Sequence, residues 1–169
     1  MIHPGFHRAG LTLAFLLGAF GSTPGLAQKS GEFRLLQSYV HNYETVEHSD
    51  ESFIGGLIRG TSTIVESSGD PFTEGMSASA RCLVFVSETV DLSVVNAPCT
   101  ITDTDGDELY LVANRGIGGV GEGNSGAGRW SMEGGTGKYA NITGACSYRV
   151  EYFPDNFLVT YSQCRWEKE

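Results

Sequence analysis

Apolar and polar residues alternate with a period of two along most of the chain beyond residue 33. That spacing is the signature of strands with one buried face. The clearest case is "ACSYRVEYFPDNFLVTYSQCRW", residues 145–166, where two alternating runs flank Pro154, Asp155 and Asn156. Turn chemistry between two such runs predicts a β-hairpin. A turn centred on Asp155 pairs residues lying equally far on either side of it, and Cys146 and Cys164 are such a pair. The same register puts Tyr148, Val150, Tyr152, Leu158 and Trp166 on the cysteine face, which is expected to point inward. Ser147, Arg149, Glu151, Gln163 and Arg165 fall on the other face, mixed with Phe153, Phe157, Val159 and Tyr161.

Runs of the same texture predict eight strands, at about 34–46, 53–66, 80–88, 99–103, 108–114, 128–133, 143–153 and 157–166. They are short, rich in Val, Ile, Thr, Tyr and Phe, and separated by turn signals such as Ser68-Gly69-Asp70-Pro71 and Asp105-Gly106. No segment keeps a helical apolar period. An eight-stranded antiparallel meander loses its exposed edges by closing on itself, so the expected fold is an all-β closed barrel, with an open β-sandwich as the alternative. Between Gly116 and Gly144 lie 11 of the 23 glycines, and "GIGGVGEGNSGAG" within that stretch is expected to form a mobile loop.

The N-terminus changes the picture of where this barrel works. Arg8 precedes an apolar run from Leu11 to Phe20, and Gly25-Leu26-Ala27 follows it, the anatomy of a secretory signal cleaved after Ala27. The run is too short for a membrane anchor, which needs about 20 apolar residues. Residues 28–169 are then a single exported domain, secreted or periplasmic. The full chain has 11 basic and 20 acidic side chains, and the signal removes only Arg8 from that count. So acidic a surface repels phosphate backbones, which argues against nucleic acid as a partner. In an oxidising compartment Cys82, Cys99, Cys146 and Cys164 read as two disulfides. The hairpin pairs Cys146 with Cys164, and elimination leaves Cys82 with Cys99. No C-x-x-C spacing or histidine pair suggests zinc, and no metal or cofactor is expected.

Several near-motifs resolve into structure. Gly121-Glu122-Gly123-Asn124-Ser125-Gly126 has dinucleotide-loop spacing, but "GRWSMEGG" follows it and reads as a strand where a helix is required. "GGTGKYANITG", residues 134–144, has Met132 and Tyr139 where a phosphate loop needs glycine and Ser or Thr. Its glycines, Gly134, Gly135, Gly137 and Gly144, are expected to permit a structural turn that sends Tyr139 and Ile142 inward. "DTDGDE", residues 103–108, has glycine too early for a calcium loop and is read as a hairpin turn. Asn141-Ile142-Thr143 matches a glycosylation acceptor. "HNYETVEH" offers His41, Glu44, Glu47 and His48, which strand alternation divides between two faces. A polar strand edge is the expected reading; a functional pair, Glu44 with His48 or His41 with Glu47, is the alternative.

"GGTGKYANITG", preceded by "GRWSMEGG" and followed by an aromatic strand, resembles the glycine-rich signature of the allene oxide cyclase and dirigent-like barrels. "GTSTIVESSGDPF" and "CTITDTDGDELYL" extend the resemblance to small secreted bacterial members of that superfamily, over most of residues 39–166. It implies an eight-stranded antiparallel barrel with an apolar lumen. The residues that serve cyclisation or radical coupling in the plant proteins are not part of the matching motif, so those activities do not transfer.

Three readings of function follow. In the first, the barrel binds an apolar or aromatic small molecule in its lumen, with Tyr148, Tyr152 and Trp166 lining a continuous apolar cavity. In the second, it is a cyclase-like or stereo-directing enzyme with Glu44 and His48 as candidates. In the third, it is a noncatalytic envelope or interaction module with a filled barrel and the glycine loop as contact surface. An open or filled lumen discriminates between them.

Overall fold

A computed structural model describes residues 28–88, 93–121 and 123–169; residues 1–27, where the sequence leads one to expect a signal, lie outside these. Eight strands, β1 (Ser30–His48), β2 (Glu51–Ser67), β3 (Ser77–Glu88), β4 (Ser93–Asp103), β5 (Glu108–Ile117), β6 (Ser125–Gly135), β7 (Ile142–Tyr152) and β8 (Phe157–Lys168), pair antiparallel in chain order. β8 returns to β1, along Ser30↔Glu167 to Val40↔Phe157, and closes the barrel expected from the alternation. Closure pairs the two edge strands with each other along the barrel body, edges that an open eight-stranded sandwich would have to protect.

Each strand buries every second residue. β7 buries Cys146, Tyr148, Val150 and Tyr152, and β8 buries Leu158, Thr160, Ser162, Cys164 and Trp166. Mostly apolar side chains fill the inside, and among the described residues the charged side chains other than Asp103 and Arg115 lie outside that core. No helix among the described residues is long and apolar enough to cross a membrane. The β7–β8 register centres on Asp155, with Asp155 and Asn156 both at positive φ in the turn. Cys146 therefore opposes Cys164 at a Cα separation of 4.0 Å, and Cys82 opposes Cys99 across β3–β4 at the same distance. The two disulfides staple walls that stand four strands apart round the barrel.

Several strand boundaries differ from the sequence expectation, among them the start of β1 at Ser30 and the end of β5 at Ile117, and two of the differences have a local cause. β4 begins at Ser93, not near residue 99. Pro98 interrupts that run, but it faces outward, and the β3–β4 ladder skips it between Cys82↔Cys99 and Phe85↔Asn96. A missing N–H is tolerated at a gap of this kind. β6 begins at Ser125, inside the run expected to be a mobile loop, and Gly126 and Gly128 pair with Val150 and Tyr148. Gly128 is usable in a strand because the Tyr148 ring lies over it: a Cβ there would sit 2.7 Å from the ring carbons.

One end of the barrel is plugged by the β2–β3 connection. Phe72 enters the lumen and stacks on Phe33 at 4.1 Å, with Tyr139 and Trp166 at 5.5 and 5.6 Å. At the other end β1–β4 reach past the rest: β1–β2 pairing runs on to His48↔Glu51, whereas β1–β8 pairing stops at Val40↔Phe157. That end is where polar groups enter the lumen.

Candidate functional site

The lumen is not the continuous cavity expected from the sequence. Two small cavities, of about 30 and 40 Å³, occupy it, and Trp130 lines both. A buried polar chain also crosses the middle: Thr160 Oγ1 donates to Gln37 Oε1 at 2.7 Å, and Gln37 Nε2 donates to the Tyr39 hydroxyl. Burial raises the Tyr39 pKa, so this hydroxyl stays neutral and part of the core. The plugged-end cavity is apolar, lined by Phe33, Ile64, Phe72 and Leu111 among others.

The other cavity combines apolar walls with a polar rim. Ile58, Val84, Ala97 and Leu158 form its sides, and Tyr43, Tyr148, Tyr152 and Arg115 converge on it. β5 delivers Arg115 because it continues the inward series Leu109, Leu111, Ala113, and only 4% of the residue is exposed. One terminal nitrogen donates to Gly119 O at 3.2 Å and to the Tyr152 hydroxyl at 3.3 Å. The guanidinium lies 5.7 Å from the Tyr152 ring centre, within cation–π range. Its Nε has no hydrogen-bond partner among the described residues.

Half-buried His41 stands beside this group, stacked on Tyr43 at 4.3 Å and edge-on to Tyr152 at 6.0 Å. Desolvation lowers the His41 pKa, so the ring is neutral at pH 7, and its buried Nδ1 also lacks a partner among the described residues. Burial pushes the Tyr148 hydroxyl up to about 12 and raises Tyr43 further. The cluster therefore presents neutral phenols, a neutral imidazole and one cation. That set can bind and orient a molecule, and it contains no carboxylate to act as a base.

Tyr148 and Tyr152 are thus brought together at one cavity. Trp166 is buried at the plugged end against Phe72, away from them. Glu44 and His48 sit on the exposed outer side of β1, and Glu44 borders an outer groove. His41 turns inward while Glu47 is exposed beyond the barrel. Arg115 was not singled out from the sequence, although its odd-number parity with Leu109, Leu111 and Ala113 marks an arginine on an inward face.

The "GGTGKYANITG" segment builds the opposite end. Gly134 has φ +88° at the close of β6, which ends at Gly135, and Gly144 lies within β7 between Met132 and Trp166. Gly137 has φ +48° and opens a short 3-10 turn, where a Cβ would collide with the Asp107 carboxylate. Tyr139 and Ile142 follow it into the core.

Lys138 Nζ lies 2.7 Å from both Asp103 Oδ2 and Asp105 Oδ2, and the Lys138 N–H donates to Asp107 at 3.0 Å. The Asp103 contact is a close ion pair rather than an aligned hydrogen bond. Asp103 Oδ1 accepts the N–H groups of Asp105 and Asp107, so the chain's own donors engage this carboxylate. Desolvation opposes its ionisation, but the lysine and these N–H groups outweigh it and lower the Asp103 pKa. The carboxylates raise that of Lys138. The lysine of the apparent phosphate loop is a clamp between two turns.

The outer wall of β1–β4 carries a groove of about 790 Å³ over Gly55, flanked by Phe53, Leu57, Leu83, Phe85 and Val94. Phe85 is 51% exposed there. Comparison with protein-family models, curated proteins and solved structures finds no match to the chain.

Proposed function

We propose that the protein is an exported binding barrel that takes a compact apolar or aromatic small molecule at the tyrosine-lined end of its lumen. The observation that carries this reading is the cavity at Tyr148 and Tyr152, where apolar walls meet Arg115, whose Nε has unused hydrogen-bonding capacity among the described residues. Sites of this composition, mostly apolar with a few converging polar groups, are how small molecules are held. At about 40 Å³ the cavity admits one end of a ligand. The rest would lie at the mouth, beside the extended β1–β4 strands. Export fits the signal-like N-terminus and the two disulfides, and membership of the allene oxide cyclase/dirigent-like barrels fits the closed eight-stranded architecture. Native mass spectrometry of protein isolated from its own extracytoplasmic compartment tests the reading. A retained small molecule, lost on Tyr148→Trp substitution, is expected; a mass equal to the bare mature chain in every preparation would count against it.

The outer groove supports a second reading, an interaction module. Gly55 leaves a notch directly beside the Phe85 ring, which it opposes across β2–β3, so the face offers both a hole and a knob to a second copy of itself. Sedimentation equilibrium tests this, and a concentration-independent monomer would remove the second copy as occupant.

A further inference from the structure

Arg115 poses an energetic problem that the rest of the chain avoids. Its guanidinium cannot shed its proton, and a buried charge is costly unless it is paired. Two exposed arginines are paired with acids, Arg34 with Glu66 at 2.7 Å and Arg165 with Glu32 at 2.8 Å, and exposed arginines without a partner are hydrated. Buried Arg115 has none among the described residues, and holds only a carbonyl and a phenol through one nitrogen. Nε, one of the fork of donors that matches a carboxylate edge, is unused. The groups around it do not compensate, since His41 is neutral and burial raises the Tyr43 and Tyr148 pKa values.

We infer that this end of the lumen is a monocarboxylate site, with the ligand's carboxylate on the Arg115 guanidinium and its short apolar body among Ile58, Val84 and Leu158. The inference rests on the binding reading above and names the ligand class for it. Three features select the class. The planar fork matches a planar, singly charged head. Beyond it, the lining supplies hydroxyls but no second cation for the second charge of a phosphate. A cavity of about 40 Å³ fits a body of a few heavy atoms, whereas an engineered cavity that holds benzene measures about 150 Å³. The chain's formal charge of −9 opposes the approach of anions, so the site depends on this single local cation and affinity falls steeply without it.

The test is a nitrogen-15 NMR titration of the mature protein with sodium butyrate, butyramide and inorganic phosphate, following the Arg115 Nε–H resonance and the backbone amides. Butyrate should move that resonance saturably and bind at least tenfold more tightly than its neutral amide or phosphate. Arg115→Gln, with its melting temperature checked, should lose at least tenfold in butyrate affinity. Arg115→Lys, which keeps the charge without the fork, should fall between. Butyramide binding as tightly as butyrate would overturn the anion inference and leave the binding reading standing. Phosphate binding more tightly than butyrate would overturn the carboxylate class. Saturation by none of the three would overturn the inference; the binding reading falls with it only if native mass spectrometry also finds no retained molecule. Should Arg115→Gln fail to fold, the butyrate–butyramide comparison on the unaltered chain still decides.

Discussion

Replacing Asp103 by alanine should uncouple the two turns that close the plugged end of the barrel. The Asp103 side chain is 1% exposed; its Oδ1 accepts the N–H groups of Asp105 and Asp107, at 2.8 and 3.1 Å, and its Oδ2 forms a close ion pair with Lys138 Nζ at 2.7 Å. Hydrogen bonds to a charged group contribute about 1.5–3 kcal/mol each. The turn residues are exposed, so water recovers part of what the two N–H groups lose, and a net loss of about 3 kcal/mol is expected. In a domain of this size that corresponds to roughly 9 °C in melting temperature. The loss should depend on pH in a definite direction. The folded-state pKa of Asp103 is depressed, so its stabilisation is present above the unfolded-state value near 4 and is lost as pH falls through the folded value. Thermal melts followed by circular dichroism at several pH values read both effects. The gap between the chain and the Asp103→Ala variant should be widest near neutrality and narrow below pH about 4. A variant melting within 2 °C of the unaltered chain at pH 7, or a gap constant down to pH 3, would refute the clamp.

Other expectations follow from the same packing. Removing Cys146–Cys164 by a double alanine substitution should cost about 3 kcal/mol from loop closure alone, given a sequence separation of 18; chemical denaturation measures it, and an unchanged midpoint would contradict the estimate. Gly128→Ala places a Cβ 2.7 Å from the Tyr148 ring and should destabilise by about 1–3 kcal/mol through overpacking. It should also weaken any ligand bound at that cavity, and a variant as stable as the parent would show that both the ring and the backbone at Asn114, whose carbonyl oxygen lies 2.6 Å from that Cβ, give way. Tyr39, Tyr43, Tyr139 and Tyr148 all have raised folded pKa values. The stability they confer is present below the unfolded value near 10 and is lost as pH rises above it. Ultraviolet titration should therefore show most phenols ionising together with alkaline unfolding, whereas smooth ionisation of all seven tyrosines near pH 10 would contradict their burial.

The hairpin of residues 146–164 was legible because it is local. Period-two alternation, a turn at Pro154-Asp155-Asn156 and symmetrically placed cysteines fix register, disulfide and inward face together. Pro98 hid half of β4, because a proline's effect depends on whether its neighbour needs the missing N–H, and that is a tertiary fact. Lys138 looked isolated because its partners Asp103, Asp105 and Asp107 come from a turn more than thirty residues earlier. The candidate site shows the same limit. Tyr148 and Tyr152 follow from the hairpin face, but their meeting with Arg115, Tyr43 and His41 exists only once β5 and β1 have been brought round by barrel closure. The lumen's filling was equally illegible, since Gln37 and Tyr39 from β1 and Trp130 from β6 share one interior although they lie far apart in the chain.

The measurement that bears most directly on the account is a crystal structure of residues 28–169 grown with butyrate. The account predicts the carboxylate within hydrogen-bond distance of Arg115 Nε, with the ligand's body against Tyr148 and Leu158 and the disulfide hairpin unchanged. A lumen still closed by Trp130 and the tyrosines, with the ligand absent from Arg115 or seated on the outer wall by Phe85, would contradict it.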